Sequence, residues 1–395
     1  MYNTSNIPAD YAKKSFAAAI TRLFPGGSSP LLALTAALPK VIAAQNVHGY
    51  WSKTMVYPSF TVAVGGQLIG DTTFTGVSTA NIIPGTLLLN PATNEQVLVL
   101  TVPSATTITV RRAVGTQVAV AVAASQQLVS VGSMFEQGSA LPTSLAIVST
   151  LLTNNTQIVR NAWSTTGTNK AIATVVGNSV QAENKMDATA FHGADIEKIL
   201  FFGQKYSGTL NNQPIFGADG LINVIRTQAP GNVSVAGATT NYTQLETMLD
   251  PVFNQVTDAG GSPERVLFVG SGALRVLNAI GRLSGTYQIV GEDTVFGLKF
   301  TRIKMSRGDF LLREHPLFNT NTTWQRMAVA VDLSTFRMPT LEGRDTMYDE
   351  YNTQGRITSN GTDACGGVFT SEFTTEIRNP QANAVITGLT AGAAG

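Results

Sequence analysis

The chain has 395 residues, 43% of them hydrophobic, which is enough apolar material for two or three domains with real cores. Only 13% of residues are charged, about half the usual share of a soluble domain, and 26 basic against 25 acidic residues leave a net charge of +1. That balance excludes a dedicated electrostatic nucleic-acid binder, and the single cysteine, Cys365, excludes an intrachain disulfide framework and a thiolate zinc cluster.

In chain order, Asp10 to Leu23 is predicted as a short helix, stopped by Pro25-Gly26-Gly27. Ser29-Pro30 opens a second, LLALTAALP, with Ser29 as N-cap and Pro30 at the first helical position. Neither is long enough to stand alone, so both must pack on something else or on a neighbouring subunit. From Ser59 to Val131 short β-like runs alternate with Gly and Pro turns and read as a small all-β module. Within it, Glu95 to Val102 and Thr107 to Arg112 flank a polar turn, and Ile108 and Val110 alternate with polar residues, the period of a half-buried strand.

Residues Ser133 to Trp163 read as extended and irregular. A long helix is predicted from about Asn178 to Gln204, with Met186, Ala190, Ala194 and Glu197 on one face and Gly203 as its stop. Thr243 and Glu246 read as a capping box, ahead of a helix that Pro251 should kink and Gly260-Gly261 should stop. Arg265 to Gly270 is a buried-type strand leading into a helix, SGALRVLNAIGRL; a hairpin around Gly297 to Arg307 and a strand, RMAVAVDL, follow. In Phe369 to Arg378 the odd positions are Phe, Ser, Phe, Thr and Ile and the even ones Thr, Glu, Thr, Glu and Arg, which predicts a strand buried on one face.

Little here points to chemistry. Gly270-x-Gly272 between a strand and a helix resembles a dinucleotide turn, but the third glycine position is Arg275, and a strand-turn-helix corner is the better account. His48, His192 and His315 are scattered without ligand spacing and read as core or surface histidines. Hence no catalytic site, no cofactor and no metal are expected. Arg111-Arg112, Arg302 to Arg307 and Arg337 to Arg344 adjoin acidic or apolar residues and read as salt-bridging groups. The start lacks a secretory pattern, no run is long enough to span a bilayer, and the sequons at Asn3, Asn154, Asn232 and Asn241 are read as chance.

The order of elements resembles the capsid proteins of tailed bacteriophages with the Hong Kong 97 phage fold, in members with a β-rich insertion in the extended loop. The stretches that carry the resemblance are SSPLLALTAALPKVIAAQNVHGYW (Ser29 to Trp51), Pro58 to Val131, LTNNTQIVRNAWSTTG (Leu152 to Gly167), Ala182 to Gln204 ending in DIEKILFFGQ, Leu245 to Arg282, and TSEFTTEIRNPQANAVITGL (Thr370 to Leu389). The resemblance implies an α+β fold. Residues 1–57 would form the N-terminal arm and first limb of the extended loop, 58–131 the inserted β-rich domain and 132–163 the returning limb. A peripheral domain with a spine helix would take 164–214 and 337–395, and an axial domain 215–336.

It also implies a major capsid protein that assembles in the host bacterial cytoplasm, as hexamers and pentamers, into an icosahedral shell around double-stranded DNA. Its partners would be itself, a portal protein, a separate scaffolding protein and a decoration protein, with non-specific proximity to packaged DNA and no membrane. Inter-subunit contact is expected at Trp51, Arg111, Arg112, Phe135, Arg160 and Trp163. Non-covalent assembly is expected, because no segment matches a Lys–Asn cross-linking environment. The alternatives are another β-rich virion protein (fibre, tube or surface-layer subunit), against which the helical stretches argue, and a nucleotide-dependent enzyme built on Gly270.

Overall fold

A computed structural model describes residues 29–55, 57–172, 179–237, 239–255, 264–284, 288–295, 298–351 and 363–390. The helix expected at Asp10 to Leu23, its Pro25-Gly26-Gly27 stop, the Gly260-Gly261 stop and Gly297 lie outside these residues. The chain forms two units, one from Met1–Tyr50 and Thr153–Gly395, the other from Trp51–Leu152.

The larger unit is built on a seven-stranded mixed sheet. Its strand order is Val233–Val235, Ala384–Thr387, Ala328–Val331, Glu264–Val269, Asp309–Glu314, Leu298–Lys304 and Gln288–Val295. Runs such as VLFV and AVAV are apolar at every position because both faces are covered. Val266, Phe268, Val329 and Val331 face one core; Leu267, Val269, Ala328 and Ala330 face the other.

Among the described residues, six α-helices lie in this unit: α1 (Pro30–Thr35), α2 (Gly167–Ala171), α3 (Val180–Phe202), α4 (Leu221–Gln228), α5 (Tyr242–Leu249) and α6 (Ser271–Ser284). The first face is covered by α1, by the C-terminal half of α3 and by α4, through Leu31, Leu200, Phe201 and Ile225. The second is covered by α5 and α6, through Leu245, Leu249, Val276 and Ile280. A five-stranded sheet completes the unit, in which Ala364–Phe373 pairs with Gln157–Thr166 on one side and with Met347–Tyr351 and Thr340–Leu341 on the other.

Several local expectations need correction. The capping box of α5 is Asn241 with Gln244, two residues before the pair expected: the Asn241 side chain accepts from the Gln244 N–H, and the Gln244 side chain accepts in return from the Asn241 N–H. Pro251 does not kink a longer helix; α5 ends at Leu249 and a 3-10 turn, Asp250–Phe253, follows. Ser29 precedes α1 but its hydroxyl caps nothing. Gly203 does end α3, without the left-handed conformation: a Cβ there would stand 2.5 Å from the Ala218 carbonyl oxygen, so the glycine serves a close backbone approach.

The face assigned to α3 is also different. Its buried residues are Ala188, His192, Ile196, Glu197, Leu200 and Phe201, whereas Met186 and Phe191 are exposed.

The smaller unit is a six-stranded antiparallel sheet. Its order is Ser59–Thr61, Gln127–Ser133, Thr86–Leu89, Gln96–Thr101, Thr107–Arg111 and Thr73–Thr75. The first and last strands meet at a bridge between Val62 and Gly76, so the sheet closes on itself and leaves no free edge. A Cβ at Gly76 would stand 2.5 Å from both the Phe60 ring and the Thr61 carbonyl oxygen, which is why a glycine sits at the closure. The core alternates along the strands as the sequence pattern predicts: Phe60, Phe74, Leu88, Val97, Val99, Ile108, Val110 and Leu128 all point inward.

Candidate assembly surfaces and their internal latches

Paired strands Val47–Ser52 and Thr150–Asn155 carry the chain between its two units. Beyond them in the smaller unit, 134–149 is extended without regular structure and almost wholly exposed. Large apolar side chains stand in solvent here: Trp51 is 71% exposed, Tyr57 87% and Leu141 97%, with Met55, Phe135 and Val148 also open. A folded chain in water rarely presents so many large apolar groups unless another surface covers them.

The root of this limb is fixed by polar groups that are far apart in sequence. His48 Nε2 lies 2.9 Å from Glu376 Oε2, and the Tyr50 hydroxyl donates to the Ile377 carbonyl oxygen. Arg378 Nε donates to the other Glu376 oxygen. Burial opposes ionisation of Glu376, but its bonds from His48 and Arg378 outweigh that and hold its carboxyl below the ordinary value. Burial, with Glu376 close by, pushes the Tyr50 phenol well above its ordinary value.

This corrects the reading of Phe369 to Arg378. The run is not one strand buried on one face: the strand ends at Phe373, a short strand Glu376–Ile377 follows, and Thr370, Glu372, Thr374 and Glu376 on the polar face are buried too. Glu372 takes bonds from Arg344 Nε and the Thr156 hydroxyl. Asn154 is buried with its amide bonded to Asp219 and Thr375.

Two histidines bind α3 to its surroundings. Asn161 Nδ2 donates to Asp195, so its Oδ1 accepts from His192 Nδ1 at 2.7 Å. His192 Nε2 then accepts from the Ser371 hydroxyl at 2.8 Å, and Thr346 Oγ1 lies 2.8 Å from the same oxygen. The order Ser–His–Asn imitates a nucleophile relay, yet Ser371 is buried in mid-strand, where its role is to fasten the helix to the sheet.

Burial lowers the pKa of His192 below the ordinary 6.5, against the opposing pull of Asp195. Above that pH the residue is neutral whether folded or unfolded. Below it the unfolded chain takes up a proton that the folded chain resists, so stability is full above about pH 6.5 and falls as pH drops through it. Urea midpoints at pH 7.5 and 5.0 are expected to differ by less in a His192→Gln variant than in the unaltered chain.

The second latch is fully buried. Glu197 accepts from the Leu31 N–H at 2.8 Å, the Leu32 N–H at 2.7 Å and His315 Nε2 at 2.7 Å. His315 Nδ1 accepts from the Leu317 N–H, so the ring carries its proton on Nε2 and donates it to the carboxylate. The rings of Phe201, Phe268 and Phe318 enclose the imidazole. Glu197 thereby caps α1 in place of Ser29 and ties α1, α3 and the turn at Pro316 together.

The expected contact residues divide. Trp51, Arg111, Phe135 and Arg160 are exposed. Trp163 is only 5% exposed and donates from Nε1 to the Tyr348 hydroxyl. Arg112 is engaged inside its own unit: it pairs with the fully buried Glu95 and donates to the carbonyl oxygens of Leu68, Ile69 and Val120. The six are not one cluster. Arg302 pairs with Glu264 and Asp309, and Arg344 with Glu372, the salt-bridging roles read for those runs.

Gly270 and Gly272 are accounted for without a phosphate, since a Cβ at either would stand within 3 Å of the Gln325 carbonyl oxygen. The first N–H of α6, on Ser271, is already bonded to Asn319 Oδ1. Among the described residues, no group of three or more His, Cys, Asp and Glu could hold a metal ion, and no helix is long and apolar enough to cross a membrane.

The SU10 major capsid protein family model matches residues 2–390. The major capsid protein of Pseudomonas phage PaMx41 is 34% identical over 98% of this chain and 95% of its own length. The chain belongs to the SU10 major capsid protein family. Solved structures of Mycobacterium phage Bobi (10% identity, 99% of both chains, TM-score 0.49) and of the cyanophage Pam1 capsid (10% identity, 100% of both chains, TM-score 0.47) are also similar to it. The assignment rests on the family model and the Pseudomonas phage relative.

As a phage major capsid protein it is a structural component of the virion that assembles with itself, which sets aside the fibre, tube and surface-layer readings. The described residues have a mixed α+β architecture, with the long helix α3 ahead of most strands of the seven-stranded sheet.

Proposed function

We propose that this major capsid protein forms hexamers and pentamers that close into an icosahedral shell around double-stranded DNA, with a purely structural role. The supporting observation is the limb of the smaller unit, whose exposed Trp51, Tyr57, Leu141 and Val148 need cover that other copies of the chain supply. The residues expected at 164–214 and 337–395 act as the peripheral domain and 215–336 as the axial domain. The closed β module of 58–131 is carried between the limbs at 1–57 and 132–163. Trp51, Arg111, Phe135 and Arg160 are the exposed contact residues of this scheme. Assembly takes place in the host cytoplasm on a separate scaffolding protein, with a portal protein at one vertex and a decoration protein on the finished shell. The net charge of +1 suits a wall that confines DNA without gripping it.

A Trp51→Asp, Leu141→Asp variant is expected to keep the melting profile of the unaltered chain while sedimenting as unassembled subunits when coexpressed with the neighbouring phage genes. Shells formed at the normal yield would refute the limb as the contact surface.

A further inference from the structure

Arg313, near the end of the strand Asp309–Glu314, is a cation without a counter-ion. Among the described residues no carboxylate pairs with it: Asp309 and Glu264 are taken by Arg302, and Glu314 accepts from Asn319 Nδ2 at 2.7 Å. Its Nε is shut off from water without a hydrogen-bond partner among those residues, and its Nη1 donates to the Lys299 carbonyl oxygen at 3.0 Å. The guanidinium carbon lies 5.6 Å from the centre of the Phe300 ring. Burial holds the Arg313 pKa below the ordinary arginine value with no acid set against it, whereas Asp332 opposes the same effect at Arg265. A guanidinium that has given up water and gained no carboxylate is a costly arrangement, and an incoming anion relieves it. There is room for one. Arg313 lines a cavity of about 280 Å³ with Leu274, Lys299, Thr301, Leu312 and Glu314.

The smaller unit holds the opposite. Its acidic side chains are Asp71, Glu95 and Glu136. Asp71 accepts from the Leu68 N–H, and Glu95 is buried against Arg112. Glu136 is exposed, no group among the described residues bonds to its carboxylate, and it is the one charged residue of 134–149. It also opens a tight turn: the Ser139 N–H donates to the Glu136 carbonyl oxygen at 3.2 Å, with Gly138 at a φ of 78° in the third position. The turn fixes where the limb presents its charge.

We infer that the Arg313 cavity receives the Glu136 carboxylate from the limb of another copy of this chain. The inference rests on the reading in which the limb lies over neighbouring subunits, and it adds the place where the limb is seated. Charge complementarity selects the occupant, because a segment with a single charge can offer a cationic cavity only that residue. The pair then sets register. A limb slid along its neighbour would bring an uncharged side chain to Arg313 and leave both charges unpaired.

The test uses closed particles coassembled from two chains, one carrying Gln137→Cys and the other Thr301→Cys, treated with a short bismaleimide. Glu136 and Arg313 stay in place, and a link between these two positions can form only between chains. Peptide mass mapping is expected to find it at least about 10-fold above a control with Thr227→Cys in the second chain, and to lose it when Glu136→Lys is added to the first. A yield no higher than the control in closed particles would overturn the inference and leave the shell reading standing. No particles from the unaltered chain would remove that reading and the inference with it. Charge exchange gives a second readout. Glu136→Lys and Arg313→Glu are each expected to lower particle yield about 10-fold or more, and the two together to restore most of it. No recovery in the double variant, with both single variants folded by circular dichroism, would overturn the inference. So would Arg313→Glu particles that form at the normal yield but hold less DNA, which would assign the cation to packaged DNA.

Discussion

Replacing Glu197 by alanine is expected to lower the unfolding free energy by about 3–5 kcal/mol. The carboxylate is completely buried and accepts from three donors, the N–H groups of Leu31 and Leu32 and Nε2 of His315. Alanine leaves all three donors in an apolar, aromatic surrounding with no water to replace the lost acceptor. It also removes the cap of α1, which has no side-chain cap of its own. Glu197→Gln is expected to fall between, because its oxygen still accepts while its amide group turns two hydrogens toward groups that are themselves donors. Urea denaturation of unassembled protein measures both. The alanine variant should also show faster hydrogen exchange across 29–38, where the arm is tied down. A loss below about 1 kcal/mol would mean that the three donors find other partners and that Glu197 is not the fastening point.

Arg112→Ala should destabilise the β module by a comparable amount, about 3–5 kcal/mol, because it strands the charge of a fully buried Glu95. The guanidinium makes two bonds to that carboxylate and further ones to the carbonyl oxygens of Leu68, Ile69 and Val120, so it closes two loops against the hairpin at once. The double variant Glu95→Leu, Arg112→Met removes both charges and keeps most of the volume. It is expected to be clearly more stable than Arg112→Ala alone. Thermal unfolding followed by circular dichroism on the three variants distinguishes a costly unpaired charge from a simple loss of packing. A double variant no better than the single one would show that the carbonyl contacts, and not Glu95, are what matter.

These two residues show where the sequence was readable and where it was not. Strands in the seven-stranded sheet were legible because burial on both faces writes itself as unbroken apolar runs, VLFV and AVAV. The Gln96–Thr101 and Thr107–Arg111 hairpin was legible because its turn is short and its alternation clean. The α3 helix could be found but not oriented. Its N-terminal half buries only one side, while its C-terminal half is enclosed by α1 and the sheet, so no single stripe describes the whole length. Glu197 was placed on one face with the exposed Met186 for that reason.

The strand Ala364–Phe373 and its continuation looked half-solvated since Glu372 and Glu376 alternate with apolar residues. Their partners, Arg344, Thr156 and His48, come from distant parts of the chain, and nothing local announces that a carboxylate will be buried and paired. Arg112 read as a salt-bridging group, which it is, but its partner could not be named, because Glu95 lies across a hairpin. Exposed limb residues such as Trp51 and Phe135 were easier to pick out, because a large aromatic in a polar, irregular stretch stands apart from its neighbours.

The central claim is that this chain closes a shell with copies of itself, and electron microscopy of the purified protein coexpressed with its neighbouring phage genes tests it most directly. Closed particles whose capsomers resolve into sixfold and fivefold rings, with the limb of the smaller unit lying against adjacent subunits, are the expected result. Monomers or small dimers under every condition, with scaffold supplied, or particles in which Trp51, Tyr57 and Leu141 remain in solvent, would contradict it.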